Sequence, residues 1–351
     1  MPTVIDICCG SGGFSYGFKK AGYNILLGID NEESKLKTYK KNITSNVLLG
    51  DISKIAVKEI MDKINNDKID IIIGSPPCIQ YSTSNPKRIT IENQKNKNFF
   101  PLCYEFFFIV ISLRPKVFVM ENVPGFYESR DFNIITNLFN RLGYTTYLNV
   151  INVKDFGVPQ NRVRGFFIGT LVNRKVELIP KDNIKEVTLN EAIGDLEGIK
   201  PINGYTMESL QLQNNFDYSD YQKLMHPSSE NAYIYNHTMP DNKEITRSIL
   251  ENLKSGSHYK ENKSHRKSYG FEVSKLITTK FDTPSGDGET MHYSLPRCLT
   301  LREAARIQSF DDEFIFMVEG LNKSQIRKLV GDAVPPLMGK YIGEILKDII
   351  K

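Results

Sequence analysis

The sequence predicts an α/β fold: a mostly parallel β-sheet with helices on both faces, followed by a smaller, irregular region. Three observations predict it. Short apolar runs recur at residues 3–7, 25–29, 69–73, 117–120 and 166–168, separated by amphipathic stretches. Polar clusters follow directly after these runs, where open parallel sheets place their ligands. After about Thr188 the periodicity fades, and residues 200–290 become rich in Asn, Ser, Tyr, Lys and His.

Thr3–Ile7 reads as a strand, residues 10–13 as a tight glycine loop, and residues 14–21 as the opening of a helix. Residues 25–29 form the next strand, with a helix over 32–42. The later apolar runs are further strands with helical patterns between them, which makes βαβ units. In the irregular region, residues 245–253 give the clearest helix. Helical patterning returns from Leu299 (LREAARIQSF), over 323–330, and over 337–350.

At 351 residues the chain can bury a sizeable core, and a net charge of +4 permits a polyanionic partner without requiring one. The five cysteines (Cys8, Cys9, Cys78, Cys103, Cys298) form no CxxC pair, and the five histidines show no ligand spacing, so no metal is expected. The start MPTVIDICCG is unlike a signal peptide, and no apolar run reaches membrane-spanning length. The expectation is a soluble, cytoplasmic protein.

Two clusters carry chemistry. The run from Asp6 through Cys9, Gly10, Gly12 and Gly13 to Phe14 joins a strand to a helix, which lets a ligand approach the backbone closely. Asp30 ends the second strand, beside Asn31, where a carboxylate can accept the ribose hydroxyls of an adenosine. Asp51 is placed for the adenine amino group, with Ile52 against the ring. Asp30 and Asp51 also suit plain helix caps, and both roles can coexist. At the second cluster, the strand at 69–73 runs into GSPPCIQYS, whose prolines hold Cys78 rigidly. Another strand ends in Glu121-Asn122-Val123-Pro124, and a third segment reads Gln160-Asn161-Arg162-Val163-Arg164. A thiol, a carboxylate and two arginines suit attack on an electron-poor ring. Taken singly, each also fits a structural thiol, a cap or a surface ion pair.

Together these blocks give a resemblance. DICCGSGGFSYGF, Asp30, GDI at 50–52, PPCIQYS, ENVPGF, QNRVR, RCLTLREAARIQSF and GDAVPP resemble the cytosine-C5 DNA methyltransferase family, in its motif order and across nearly the whole chain. The resemblance implies a Rossmann-like class I methyltransferase fold that uses S-adenosylmethionine. Residues 1–185 and 296–351 would form the catalytic domain and 186–295 a target-recognition domain. It implies that a cytosine is flipped from duplex DNA, that Cys78 adds to C6, and that Glu121 contacts N3 and the exocyclic amine. Arg164 would hold O2, and Arg162 would help stabilise the thiolate. Asp6, Cys9, Gly10, Gly12, Gly13, Phe14, Asp30, Asn31, Asp51, Ile52, Pro76, Ala333 and Val334 would surround the cofactor, and residues 323–351 would close onto the N-terminal domain.

In this family the segment between QNRVR and LTLREAARIQSF reads the target. Here it offers Lys254, His258, Tyr259, Lys263, Arg266, Lys267 and Tyr269, with Ser82 beside the nucleophile, as DNA contacts. The same stretch, standing alone, would read as a solvated loop face. Three positions depart from the family pattern: Ile79, Phe108 and Asp332. The implied partners are duplex DNA and, in a restriction-modification system, a separately encoded endonuclease; a monomer suffices, and the protein would work at the nucleoid. Two other readings stay open: a tRNA cytosine-5 methyltransferase on the same catalytic domain, and a catalytically weak DNA-binding relative.

Overall fold

The protein is described from a computed structural model over residues 1–77, 102–212, 217–226, 233–240, 244–258, 266–284 and 286–350, without the side chains of residues 131 and 244–247. Cys78, Ile79, Ser82, Tyr259 and Lys263 therefore lie outside the described residues.

Seven strands form one sheet: β1 (Thr3–Ile7), β2 (Asn24–Asp30), β3 (Val47–Leu49), β4 (Ile71–Gly74), β5 (Val117–Asn122), β6 (Thr145–Asn152) and β7 (Val163–Thr170), in the order β3-β2-β1-β4-β5-β7-β6. The first five run parallel, whereas β7 lies antiparallel between β5 and β6. The fold is thus the expected mostly parallel, helix-covered sheet, a Rossmann-like arrangement. The central strands are continuous apolar runs because helices bury both of their faces. Val4, Ile5 and Ile7 of β1 and Ile71, Ile72 and Ile73 of β4 are fully buried. The helix Leu102–Leu113 places Phe106 and Phe107 in a core with Phe118, Phe139 and Phe167, whose rings meet edge to face or tilted. Burying each such ring contributes roughly 1.5–3 kcal/mol.

The chain divides into two compact units. The first comprises Met1–Asn152, Val163–Pro180 and Met338–Lys351, and the second Val153–Arg162 with Lys181–Leu337. In the first unit the last helix, Pro336–Ile350, docks from residue 338 onward: Tyr23 Oη donates to the Gly343 carbonyl at 2.8 Å, and Lys116 Nζ to that of Ile350 at 3.2 Å. A Cβ on Gly339 would come within 2.6 Å of the Phe14 carbonyl oxygen, so the helix needs glycine there to lie this close.

The helices Leu301–Ile307 and Lys323–Gly331 belong to the second unit. Arg302, Glu303 and Arg306 are fully buried there. Arg306 bridges Asp195 (2.7 Å) and Asp312 (2.6 Å), while Arg302 donates to the carbonyls of Tyr235, Asp311 and Phe314. These are buried charges with full partners, the condition under which burial is tolerated. Phe108 lies on the exposed face of the helix Leu102–Leu113, and Asp332 forms the C-cap of Lys323–Gly331. Among the described residues no helix is long and apolar enough to cross a membrane, and no His, Cys, Asp and Glu side chains gather to hold a metal ion.

Candidate active site

The glycine loop with Asp30, and the Glu121–Arg164 part of the second cluster, lie in the first unit, beside the carboxyl ends of its parallel strands. β1 ends in a loop in which Cys8, Gly10 and Gly12 all have positive φ. At Gly12 (φ +101°) a Cβ would lie 2.0 Å from Ile43 Cδ1, so glycine is obligatory. At Gly10 (φ +57°) a Cβ would meet nothing within 4 Å, which leaves that backbone open to a ligand.

Asp30, at the end of β2, supports this loop. One carboxylate oxygen accepts from Gly10 N at 2.8 Å and the other from Glu32 N at 2.9 Å. A carboxylate has about four acceptor sites, so each oxygen retains capacity for a hydroxyl. Of the two roles read from the sequence, helix cap and ligand acceptor, Asp30 is not the N-cap of the helix Glu33–Asn42, and its free acceptor capacity is compatible with the second. Asp51 uses Oδ1 for its own turn, accepting from Ser53 N and Oγ, and these bonds hold its pKa below the usual carboxylate value. Ile52 is buried, Asn31 is exposed, and Phe14 packs against Phe18 and Phe166. Cys9 is buried, its Sγ 3.7 Å from the Gly10 carbonyl. Burial, reinforced by Asp6 and Asp30, raises the Cys8 and Cys9 pKa values, so neither thiol is a nucleophile.

Beneath the loop, Asp6 is nearly fully buried and accepts from Ser15 Oγ at 2.6 Å, which in turn meets Tyr39 Oη at 2.8 Å. Its other oxygen has no hydrogen-bond partner. Desolvation pushes the Asp6 pKa up to about 8 against the Ser15 bond, with Asp30's charge adding to the rise. Ser15 and Tyr39 were not among the candidates read from the sequence; their apolar neighbours mask them.

At the second cluster, Glu121 on β5 is buried, and Arg164 on the neighbouring β7 places Nε 3.1 Å from Glu121 Oε1. The antiparallel register, with Glu121 opposite Phe166 and Asn122 opposite Gly165, brings the two together. The two groups are ion-paired, and Glu121 Oε1 is buried and accepts no well-aligned hydrogen bond. Burial lowers the Arg164 pKa while Glu121 opposes the shift, and the guanidinium stays charged. Next to Glu121, Asn122 Nδ2 donates to the Pro76 carbonyl at 3.0 Å. Ser75 N donates to Ile7 O at 3.3 Å, so the loop after β4 is fixed from two neighbouring strands up to the residues before Cys78. Asn122 was missed as a site residue, although its place directly after Glu121 was a usable signal.

A family model described as C-5 cytosine-specific DNA methylase matches residues 2–348. The chain belongs to the C-5 cytosine-specific DNA methylase family. The methylase is 30% identical over 351 residues to the Type II methyltransferase M1.HphI of Haemophilus parahaemolyticus, covering 97% of this chain and 86% of that one. It is 31% identical over 381 residues to M.DdeI of Desulfomicrobium norvegicum, covering 97% and 88%. Its fold matches that of a prophage-encoded E. coli chain assigned as a DNA modification methyltransferase, with TM-score 0.79, 24% identity and coverage of 100% and 99%. Spodoptera frugiperda DNMT2 shares the fold at TM-score 0.64 and 17% identity, over 99% of this chain and 100% of that one.

In the methylase's second unit, Arg162 is buried and directs its guanidinium to the carbonyls of Ile277 and Ala333 at 3.4 Å each. Gln308 Nε2 also donates to Ala333 O at 3.0 Å, which fixes the Ala333-Val334 turn. Of the expected DNA contacts, Lys254, His258 and Tyr269 are exposed, and Arg266 is partly exposed. Lys267 is corrected: it is buried, with Nζ donating to the carbonyls of Leu253, Ser294 and Leu295. A lysine that caps three carbonyls inside the unit is structural and does not reach phosphate.

Proposed function

We propose that the methylase transfers a methyl group to C5 of a cytosine flipped from duplex DNA, at a short specific sequence, with Cys78 as nucleophile. The Glu121–Arg164 pair carries this reading: a buried carboxylate with one oxygen that accepts no hydrogen bond, flanked by a cation, with Asn122 beside it bonded to the Pro76 carbonyl.

The Cys78 thiolate forms a bond to C6, and the displaced electron pair makes C5 nucleophilic. Glu121 accepts from the exocyclic amine and faces N3, where it stabilises the charge that develops on addition. Arg164 holds O2 and keeps Glu121 oriented; within the second unit Arg162 fixes the Ala333 turn. After C5 takes the methyl group it loses its proton, and the electron pair that returns to the ring expels Cys78. The protein's task is positioning and charge stabilisation.

S-adenosylmethionine supplies the electrophilic methyl when bound. The residues suit it: Asp30 keeps acceptor capacity for ribose hydroxyls, the Gly10 backbone is open, Asp51 Oδ2 is left for an amine, and one oxygen of buried Asp6 has no hydrogen-bond partner. Phe14, Ile52 and Pro76 would supply apolar walls. Residues 186–295 would read the target, with Lys254 and His258 on the exposed side. Duplex DNA is the proposed partner, with a separately encoded endonuclease if the methylase serves restriction-modification.

Labelled S-adenosylmethionine offered with duplex DNA or tRNA, alongside Cys78→Ala, followed by bisulfite sequencing, tests the reading. Label on duplex DNA that maps to one motif and vanishes in the variant is expected. Label on tRNA alone overturns the substrate, and transfer that survives Cys78→Ala overturns the mechanism.

A further inference from the structure

The second unit holds a cavity of about 360 Å3 lined by Lys154, Asn161, Arg266, Phe271, Glu272 and Lys275 among others. Its geometry is built around Arg266. The backbone of residues 266–267 pairs with 256–258: Gly256 N donates to Lys267 O, Lys267 N to Ser257 O, and His258 bridges Arg266. Successive side chains on such a segment point to opposite sides. Lys267 points inward to its three carbonyls, so Arg266 is turned out to the cavity.

Glu272 then fixes the guanidinium. Both its oxygens accept from Arg266 Nη2 at 2.8 Å, and Glu272 is itself held by Tyr269 N at 2.9 Å. The guanidinium also lies 5.8 Å from the Tyr269 ring, which stacks on Phe271 at 5.0 Å and 15°. Nε and Nη1 meet no protein acceptor among the described residues. Three N–H donors are thus left on a group that is otherwise immobilised and only partly exposed.

We propose that Arg266 reads a guanine in the recognition sequence, with Glu272 as its positioning residue and the Phe271 ring as a flat wall against the neighbouring base. This rests on the DNA-methyltransferase reading above. Guanine presents adjacent acceptors, N7 and O6, in the major groove, and arginine is its usual partner. A phosphate contact fits less well. The cavity also presents the carboxylates of Glu186 and Glu272, Lys154 is paired with Glu186, and Lys275 Nζ donates to the Arg266 carbonyl. Those carboxylates repel an anion and tolerate a neutral base edge.

The test is methylation of a randomised duplex library by the full chain and by Arg266→Ala, Arg266→Lys and Glu272→Gln, read by bisulfite sequencing, with DNA affinity measured across salt. Arg266→Ala should lose about ten- to a hundredfold of its discrimination at one G·C position other than the target pair, with the salt slope nearly unchanged. Glu272→Gln should weaken the same position by less. Should Arg266→Ala fail to fold, Arg266→Lys carries the test, since lysine keeps the charge for a phosphate but loses the immobilised donors. An unchanged motif in every variant overturns the assignment, and so does a uniform loss with a salt slope lower by about one. Absence of duplex methylation by the unaltered chain overturns the underlying reading instead, and this assignment with it.

Discussion

Asn122 Nδ2 donates to the carbonyl oxygen of Pro76 at 3.0 Å, which joins the strand bearing Glu121 to the loop leading to Cys78. The bond crosses between parallel neighbours β4 and β5 at their carboxyl ends. Together with the β4–β5 pairing it holds Pro76 against the strand that carries Glu121.

Replacing Asn122 by Ala should therefore lower kcat about ten- to a hundredfold while the KM for cofactor changes less than threefold. Stability should fall by roughly 1–3 kcal/mol, because a buried carbonyl loses its donor. Steady-state kinetics and urea unfolding check this; a variant with full kcat would show that the tether does not matter for chemistry.

Glu121→Gln should cost about 10²–10⁴ in methyl transfer with cofactor affinity retained. Arg164→Met should do more harm to the fold, since it strands the buried Glu121 charge at a cost of about 3–5 kcal/mol. Comparing urea midpoints separates the two; equal stability losses would argue against the pair as a coupled unit.

The pH dependence of stability should carry the signature of Asp6. Its folded-state pKa is raised, to about 8, so between pH about 4 and 8 the native state keeps a proton that the unfolded chain has lost. Stability from this group is complete at low pH and declines as pH rises, by at most about 1.4 kcal/mol per unit, flattening above about pH 8. Asp6→Asn, which mimics the protonated acid, should remove that slope. Unfolding curves from pH 5 to 9 that superimpose in slope for both proteins would contradict the assignment.

The glycine loop offers a contrast between fold and ligand. Gly12→Ala should destabilise by at least 1–3 kcal/mol, roughly the cost of forcing a side chain into such a conformation, with the Ile43 clash added. Gly10→Ala costs about 1–2 kcal/mol of backbone strain, but its methyl would project into open space and should chiefly weaken cofactor binding. Thermal melts with and without S-adenosylmethionine distinguish the two; a Gly10→Ala protein that gains the usual cofactor shift would place the ligand elsewhere.

Much of this architecture is legible in the residues. β1, β2, β4 and β5 announce themselves because strands buried on both faces must be apolar throughout. β3 has only three residues, and β6 (TTYLNVIN) is half-exposed and polar, so neither gives a clear run. The antiparallel insertion of β7 beside β5 is a long-range pairing that no local pattern reveals, and it creates the Glu121–Arg164 contact. Arg266 and Lys267 are chemically alike in sequence; only the pairing with residues 256–258 turns one outward and the other inward. The buried charges of LREAARIQSF carried the family resemblance, yet their partners Asp195 and Asp312 place them in the second unit.

The bond from Tyr23 to Gly343 spans 320 positions of chain, and the helix that makes it covers Phe14 and Phe18, next to the glycine loop. During translation, that surface has no cover until this helix, 320 positions further along the chain, has been made. A nascent or prematurely terminated chain exposes apolar surface beside its cofactor loop, which invites chaperones and proteases.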